Sequence, residues 1–195
     1  MYSVYPVFVK SQLVDFNVLQ SFALCVIMQM NGGFTLITYK KATLEDLDVL
    51  WDKEIETNHN DPRYVRWKGS FLERNRSGRA ATFLIYDEKN AIGQVTLDRF
   101  ADSYSGNRDP LADGFNTAYV TALRIDKEHE RKGYVSRLMH FMEKWAKEQG
   151  FTRLTIGVEA AESRNLAIYL HWGYTEFVMA EEDGGELVLF YAKKL

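Results

Sequence analysis

Residues Glu130 to Ser136, ERKGYVS, have types and a spacing that suit the binding of an anion. They follow an apolar run, YVTALRI, and precede an amphipathic segment, so they lie where a strand gives way to a helix. A helix that begins here presents unpaired N–H groups and the positive end of its dipole. Gly133 lets a ligand approach the backbone, and Arg131 and Lys132 add positive charge. The stretch therefore predicts a phosphate site, against the alternative of a purely structural turn.

The composition limits the classes of protein to which this site can belong. A net charge of −3 over 195 residues argues against a general nucleic-acid binder, which usually has a basic excess. The single cysteine, Cys25, excludes an internal disulfide and suits a reducing, cytoplasmic location. Cys25 and the four histidines show no metal-ligand spacing, so we expect no metal. One domain with an ordinary core is expected for a chain of this length.

The first 33 residues differ from the rest because they contain only two charged residues. Their most apolar part, residues 22–28, is too short for a transmembrane helix, so we expect no membrane insertion. The turn residues Asn31 to Gly33 predict a boundary between an N-terminal extension, 1–33, and a domain, 34–195. The extension is either an extra strand or helix packed on the domain, or sequence upstream of the true start.

From residue 34 onwards, periodicity and turn residues predict an α/β domain with a mixed sheet, because tight hairpins give antiparallel neighbours and helical crossovers give parallel ones. The predicted strands are 34–40, 80–87, 91–100, 117–125, 151–158, 174–180 and 186–192. The predicted helices are 42–56, 61–78, 131–149 and 163–172, with Thr43 and Ser163 as caps and Pro62 in a first turn. The long polar loop 101–116 is of the kind that is either functional or disordered.

Two motifs give this order of elements a family resemblance. LRIDKEHERKGYVSRLM, followed by SRNLAIYLHWGYTEF, resembles the GNAT superfamily of N-acetyltransferases. Gly133 matches the first glycine of the family's pyrophosphate-binding pattern, Tyr169 matches a later tyrosine, and Gly173-Tyr174 matches the final pair. The resemblance covers residues 34–195. It implies a GNAT-like α/β fold, with a mixed, mostly antiparallel sheet that is splayed between its fourth and fifth strands and flanked by helices.

The resemblance also implies acetyl-CoA as a co-substrate, without a metal. Backbone groups of the fourth strand would pair with the pantetheine arm, and N–H groups of the anion stretch would hold the pyrophosphate. The implied binding residues are Leu123, Arg124, Ile125, Arg131, Lys132, Gly133, Tyr134, Val135, Ser136 and Glu162. Glu130, Val135 and Glu162 depart from the residues usual in the family at their positions.

Acetyl transfer to an amine needs a base for the amine and an acid for the departing thiolate. Tyr169 matches the family position of the acid; the alternative is a packed aromatic residue. The base is less defined, because the two family positions for it are occupied by Tyr119 and Gly157. Glu159, two residues after Gly157, would point to the same side of an extended strand and is our candidate. The alternative is a solvated carboxylate at a strand end, and Asp98 is a weaker candidate for the base.

The resemblance therefore implies an acetyl-CoA-dependent N-acetyltransferase whose acceptor is a primary amine of a small molecule or peptide. An alternative is a non-catalytic acyl-CoA-sensing or protein-binding module on the same fold, as the missing base and the unusual Glu130 and Glu162 suggest. We expect no nucleic-acid or membrane partner, and a homodimer stays open. Acidic residues in and near the expected acceptor region would suit a cationic amine. They are Asp52, Glu54, Glu56, Asp102, Asp109 and Asp113.

Overall fold

The computed structural model describes residues 23–30, 33–101 and 110–195, and these form one open sheet with helices. The strands are β1 (Ala23–Met30), β2 (Gly33–Lys41), β3 (Ala80–Asp87), β4 (Asn90–Asp98), β5 (Thr117–Ile125), β6 (Arg153–Glu159), β7 (Glu176–Asp183) and β8 (Glu186–Lys194). The helices are α1 (Leu44–Thr57), α2 (Pro62–Arg76), α3 (Tyr134–Glu148) and α4 (Ser163–His171), with a short 3-10 turn at Lys127–His129.

The strands of the sheet lie in the order β1-β2-β3-β4-β5-β6-β8-β7. Only β5 and β6 pair in parallel, because α3 carries the chain back between them. All other neighbours are antiparallel, so the predicted mixed sheet and its seven strands are confirmed. β1 is an additional strand, paired with β2 along its whole length. Residues 1–22 of the predicted extension lie outside the described residues, and the boundary at residue 33 stays a prediction.

The sheet opens between β5 and β6, which are the fourth and fifth of the predicted strands. They pair only where Thr117–Val120 face Arg153–Ile156, and β5 then continues to Ile125 without this partner. β5 carries an extra residue in this part, and Ala122 has a positive φ of 50°. Such a bulge bends a strand and increases its twist, so β5 turns away from β6. The splay predicted from the family resemblance is therefore confirmed.

Helices cover both faces of the sheet around β3 and β4, and side chains alternate between these two faces along each strand. Phe83 on β3 belongs to the main core, where Leu138 on α3 also lies. Its neighbour Leu84 points to the opposite face and packs with Leu47 of α1 and Phe71 of α2. The domain thus has α3 on one face and the α1–α2 pair on the other.

The starts of α1 and α2 agree with the sequence prediction, and those of α3 and α4 differ from it. α1 begins as predicted: Thr43 and Asp46 cap it through reciprocal hydrogen bonds. α3 begins at Tyr134 rather than at residue 131, because Arg131 and Gly133 have φ of 62° and 75°, outside the helical region. Ser163 is the first residue of α4 and not its cap, so that prediction is wrong; Glu162 precedes the helix without a capping side-chain bond.

The loop before β5 is described only in part, because residues 102–109 lie outside the described residues. Asp113 Oδ1 accepts N–H groups from Phe115, Asn116 and Thr117, which fixes the chain as it enters β5. Across the described ranges, no helix is both long and apolar enough to cross a bilayer.

Candidate functional site

A cleft of about 590 Å³ lies where β5 leaves β6. β5 lines one side, the chain from His129 to Ser136 lines the base, and α4 lines the other side. Eight of the predicted cofactor-binding residues line this cleft, so residues distant in sequence come together as expected. They are Leu123, Arg124, Ile125, Arg131, Gly133, Tyr134, Val135 and Ser136.

The start of α3 has the geometry of an anion site. Among the described residues, no side chain caps α3, so its first N–H groups are left for another acceptor. Gly133 adopts the left-handed conformation, and a Cβ added to it would meet no atom within 4 Å. Arg131 lines the cleft and is exposed. Free N–H groups, the helix dipole and one guanidinium therefore converge on open space that suits a pyrophosphate.

Two predicted cofactor residues are not among those that line the cleft. Lys132 is exposed beside it. Glu162 accepts a hydrogen bond of 3.1 Å from Asn165 Nδ2, and Asn165 itself lines the cleft. Glu162 thus orients a neighbouring amide that faces the cleft.

Tyr169 lies on α4, half-buried, and lines the cleft as the sequence predicts. Its ring centroid is 5.9 Å from that of Trp172, which fixes the side chain. Burial raises the pKa of the Tyr169 phenol above its usual value, and the negative charge of Glu162 adds to this effect. The hydroxyl is therefore protonated at neutral pH and is available as a hydrogen-bond donor to the cleft.

Sequence reasoning missed several residues that line the cleft. Tyr169 shares one face of α4 with Asn165, Ile168 and the C-cap residue Trp172, which also line the cleft. Their helical spacing in the sequence could have identified them. His129 also lines the cleft, and within the described residues its Nδ1 is buried without a hydrogen-bond partner, 3.9 Å from Asp87 Oδ2. The tight turn before α3 carries His129 inwards, and the sequence gives no signal of this.

The structure gives each candidate base a distinct environment. Glu159 is exposed at the end of β6, opposite Val188, and is not among the residues that line the cleft. A Cβ at Gly157 would lie 2.9 Å from the Tyr119 hydroxyl, which leaves no room for a carboxylate there. The role predicted for Glu159 stays a prediction.

Asp98 is 1% exposed and is held by its neighbours. Its carboxylate accepts hydrogen bonds from Arg74 Nη1 at 2.6 Å and Thr121 Oγ1 at 3.2 Å. These two bonds and its burial leave Asp98 without access to the cleft, whose lining it does not join.

A second cavity of about 440 Å³ lies on the other side of β5, under α1 and α2. Leu123 and Arg124 line both this cavity and the cleft, so the cleft and the second cavity meet across β5. Among the described residues that line the second cavity, Glu54 on α1 is the single carboxylate. Its Oε2 lies 2.9 Å from Arg124 Nη1. Glu54 was predicted only as one of several acidic residues near an acceptor.

The other acidic residues of that prediction do not form a free acidic surface. Asp52 pairs with Lys68 at 2.6 Å, and Asp113 is engaged by backbone N–H groups. Glu56 is exposed on α1, whereas Asp102 and Asp109 lie outside the described residues. In the described part of the chain, no group of three or more His, Cys, Asp or Glu residues could hold a metal ion.

Comparison with protein families gives a match over residues 44–174 to the Acetyltransferase (GNAT) family. These residues run from the start of α1 to the end of the tyrosine motif and include both cavities. A comparison with curated proteins found no match.

Solved structures show the same fold at low sequence identity. A ribosomal-protein-alanine N-acetyltransferase from Brucella melitensis is 18% identical, with a TM-score of 0.59, over 80% of this chain and 99% of that one. The PaiA N-acetyltransferase from Thermoplasma acidophilum, in complex with coenzyme A, is 20% identical and has a TM-score of 0.55. The match covers 82% of this chain and 99% of that one. A third structure is an acetyl transferase from Salmonella typhimurium that modifies the N-terminal serine of ribosomal protein L7/L12. It is 12% identical and has a TM-score of 0.59, and the match covers 82% of this chain and 95% of that one.

Proposed function

Because the chain belongs to the acetyltransferase (GNAT) family, we propose that it transfers the acetyl group of acetyl-CoA to a primary amine. The observation that carries this proposal is the meeting of two cavities at Leu123 and Arg124. The cleft has the uncapped start of α3 at one end, and the second cavity has a carboxylate, that of Glu54. A thioester in the first and an amine in the second would come together across β5.

In this proposal the cleft holds acetyl-CoA, which supplies an activated acetyl thioester. The N–H groups of Tyr134, Val135 and Ser136, with Arg131, hold the pyrophosphate. The edge of β5 that β6 leaves unpaired offers N–H and C=O groups of Leu123 to Ile125 to the pantetheine arm, as an added strand does. An N–H group on this edge also polarises the thioester carbonyl as negative charge develops on its oxygen.

The amine must lose a proton to attack, and Glu54 is the carboxylate that lines its cavity. The new N–C bond forms as the C–S bond breaks. Glu54 accepts the proton that the amine gives up, directly or through a water. The thiolate receives a proton on the other side of β5, where Tyr169 lines the cleft. Solvent then restores the proton to Tyr169 and removes the one on Glu54.

The relatives agree with an amine acceptor but leave its size open. Two of the similar structures are described as acting on ribosomal proteins, and the PaiA structure as containing coenzyme A. These descriptions support the amine of a peptide as one class of acceptor for this chain, and they name no small-molecule amine.

A thiol-release assay tests the proposal. The full chain is mixed with acetyl-CoA and a panel of peptide and small-molecule amines, and free CoA thiol is measured. We expect thiol release that depends on an amine, with acetylated amine as the second product by mass spectrometry. Coenzyme A binding by calorimetry without turnover of any amine would contradict catalysis and favour the acyl-CoA-sensing alternative.

A further inference from the structure

Four aromatic side chains from α1 and α2 line the second cavity. Trp51 and Phe71 form one tilted pair at 5.3 Å, and Tyr64 and Trp67 form another at 5.0 Å. Trp67 is 45% exposed although it lies beside a cavity. Aromatic faces of this kind bind flat apolar groups, and an exposed indole is a surface on which such a group can stack.

The charges of this cavity cancel within the described residues. Glu54 pairs with Arg124 at 2.9 Å, and Arg74 pairs with Asp98 at 2.6 Å. Each negative charge at the cavity thus has a positive partner. A single ammonium can share Glu54 with Arg124, but no second carboxylate lines the described part of the cavity to hold a second ammonium. The lining therefore disfavours polyamines.

Gln94 lies on β4 and lines the same cavity, with a side chain that is 3% exposed. Its Oε1 is buried without a hydrogen-bond partner in the part of the chain that the structure describes. A buried polar group without a partner costs about 1–3 kcal/mol, and a ligand that pairs with it recovers part of this free energy. Rotation of the amide by half a turn exchanges its oxygen and nitrogen, so Gln94 can accept or donate.

We propose that the acceptor is a primary monoamine with a flat apolar body that carries one hydrogen-bonding group, and that Gln94 selects it by pairing with that group. The proposal rests on the proposed acetyl transfer to an amine. Trp67 stacks on the body of the acceptor, Glu54 binds the amine, and Gln94 binds the polar group. Gln94 is thus a specificity-determining residue that acts on a part of the acceptor remote from the reacting nitrogen.

The test uses amines that share one apolar body and differ in their polar group. Phenethylamine has none, tyramine has a hydroxyl on the ring, and 4-(2-aminoethyl)benzamide has a carboxamide on the ring; spermidine represents polyamines. Thiol release is measured for the wild-type chain and for Gln94→Leu, which retains bulk but cannot form hydrogen bonds. We expect tyramine or 4-(2-aminoethyl)benzamide to have the highest kcat/KM. Gln94→Leu should lower this value by about 3- to 10-fold, the size of one net hydrogen bond, and leave phenethylamine within about twofold.

Two results would overturn the inference: a highest kcat/KM for spermidine, or an equal loss for every amine in Gln94→Leu. The affinity for CoA and the melting curve show whether Gln94→Leu is folded. If Gln94→Leu does not fold, Gln94→Met is used in its place. Amine binding is also followed by quenching of tryptophan fluorescence in the presence of CoA. Binding in the expected order without thiol release would sustain the inference and contradict the proposed acetyl transfer. Thiol release with a different order of amines would sustain the proposed acetyl transfer and contradict the inference about the acceptor.

Discussion

Glu54 and Arg124 form an ion pair of 2.9 Å between α1 and β5, at the strand that separates the two cavities. Arg124 is half-exposed, whereas the side chain of Glu54 is 22% exposed and faces the second cavity. The pair therefore holds a carboxylate beside the strand whose backbone would bind the thioester. This position is what a base for the amine requires.

Replacement of Glu54 by Gln should lower kcat/KM for the amine by about 10²–10⁴-fold, the usual contribution of a general base, and leave CoA affinity within about twofold. The amide keeps the shape of the side chain but cannot accept the proton. Thiol release across a range of pH values is the measurement. Arg124→Gln is the matched control, because it breaks the same ion pair but keeps the carboxylate. An equal loss of activity in both variants would mean that Glu54 serves only to hold Arg124.

Gly133→Glu should abolish CoA binding, since it places a bulky carboxylate at the anion site before α3. Calorimetry with CoA is the measurement. Gly78→Glu is a matched control, because Gly78 has a φ of 73°, close to the 75° of Gly133, and a Cβ there also meets no atom within 4 Å. Backbone strain and added charge are thus alike in the two variants. Wild-type affinity in a folded Gly133→Glu variant would contradict the pyrophosphate site.

The elements that carry local signals were predictable from the sequence. The reciprocal Thr43–Asp46 cap fixes the start of α1, and the β-branched and aromatic residues of TAYVTALRI predicted β5 with the bounds that the structure has. The motif around Gly133 predicts an anion site from consecutive residues alone, and the structure brings the backbone of these residues to the cleft. These features need no knowledge of distant parts of the chain.

The features that depend on tertiary contacts were not predictable. Ala122 has a positive φ, which is unusual for a residue with a Cβ, and only the pairing of β5 with β4 imposes it. Glu54 and Arg124 are far apart in sequence, so their pairing has no local signal. The same holds for Gln94, whose buried and unpartnered amide results from the packing of α1 and α2 over β4.

A chain that begins at Met30 tests the predicted boundary. It lacks β1, so the edge of β2 loses its backbone partner, but β2 stays paired with β3. The cleft lies between β5 and β6, on the other side of β3 and β4 in the sheet. We therefore expect a folded, soluble chain with CoA affinity within about twofold of the full chain, measured by calorimetry. Aggregation or loss of CoA binding would make residues 1–33 part of the core.

Tyr169→Phe should reduce kcat by about 10²-fold and leave CoA affinity nearly unchanged, because only the hydroxyl is lost. The pKa of Tyr169 is raised above its usual value of 10.0 by burial and by Glu162, so the group is protonated throughout the neutral and mildly alkaline range. Loss of activity through its ionisation should therefore begin only above about pH 10. Single-turnover kinetics across pH 7–9.5 should show a constant deficit in the variant. A normal chemical step would leave Tyr169 as a packing residue.

Glu130→Gln should tighten CoA binding. Glu130 is exposed, lines the cleft and directly precedes Arg131, so its carboxylate repels a pyrophosphate bound at the start of α3. Repulsion between exposed charges is weak in water and is screened by salt, so we expect a gain of about 2- to 5-fold at low ionic strength that disappears near 1 M salt. Calorimetry with CoA at several salt concentrations is the measurement. Glu128→Gln is the control, because Glu128 is also exposed but lines a different cavity, beside α1. An equal gain in both variants would show only a change in net charge, and no gain in either would mean that the pyrophosphate does not lie beside Glu130.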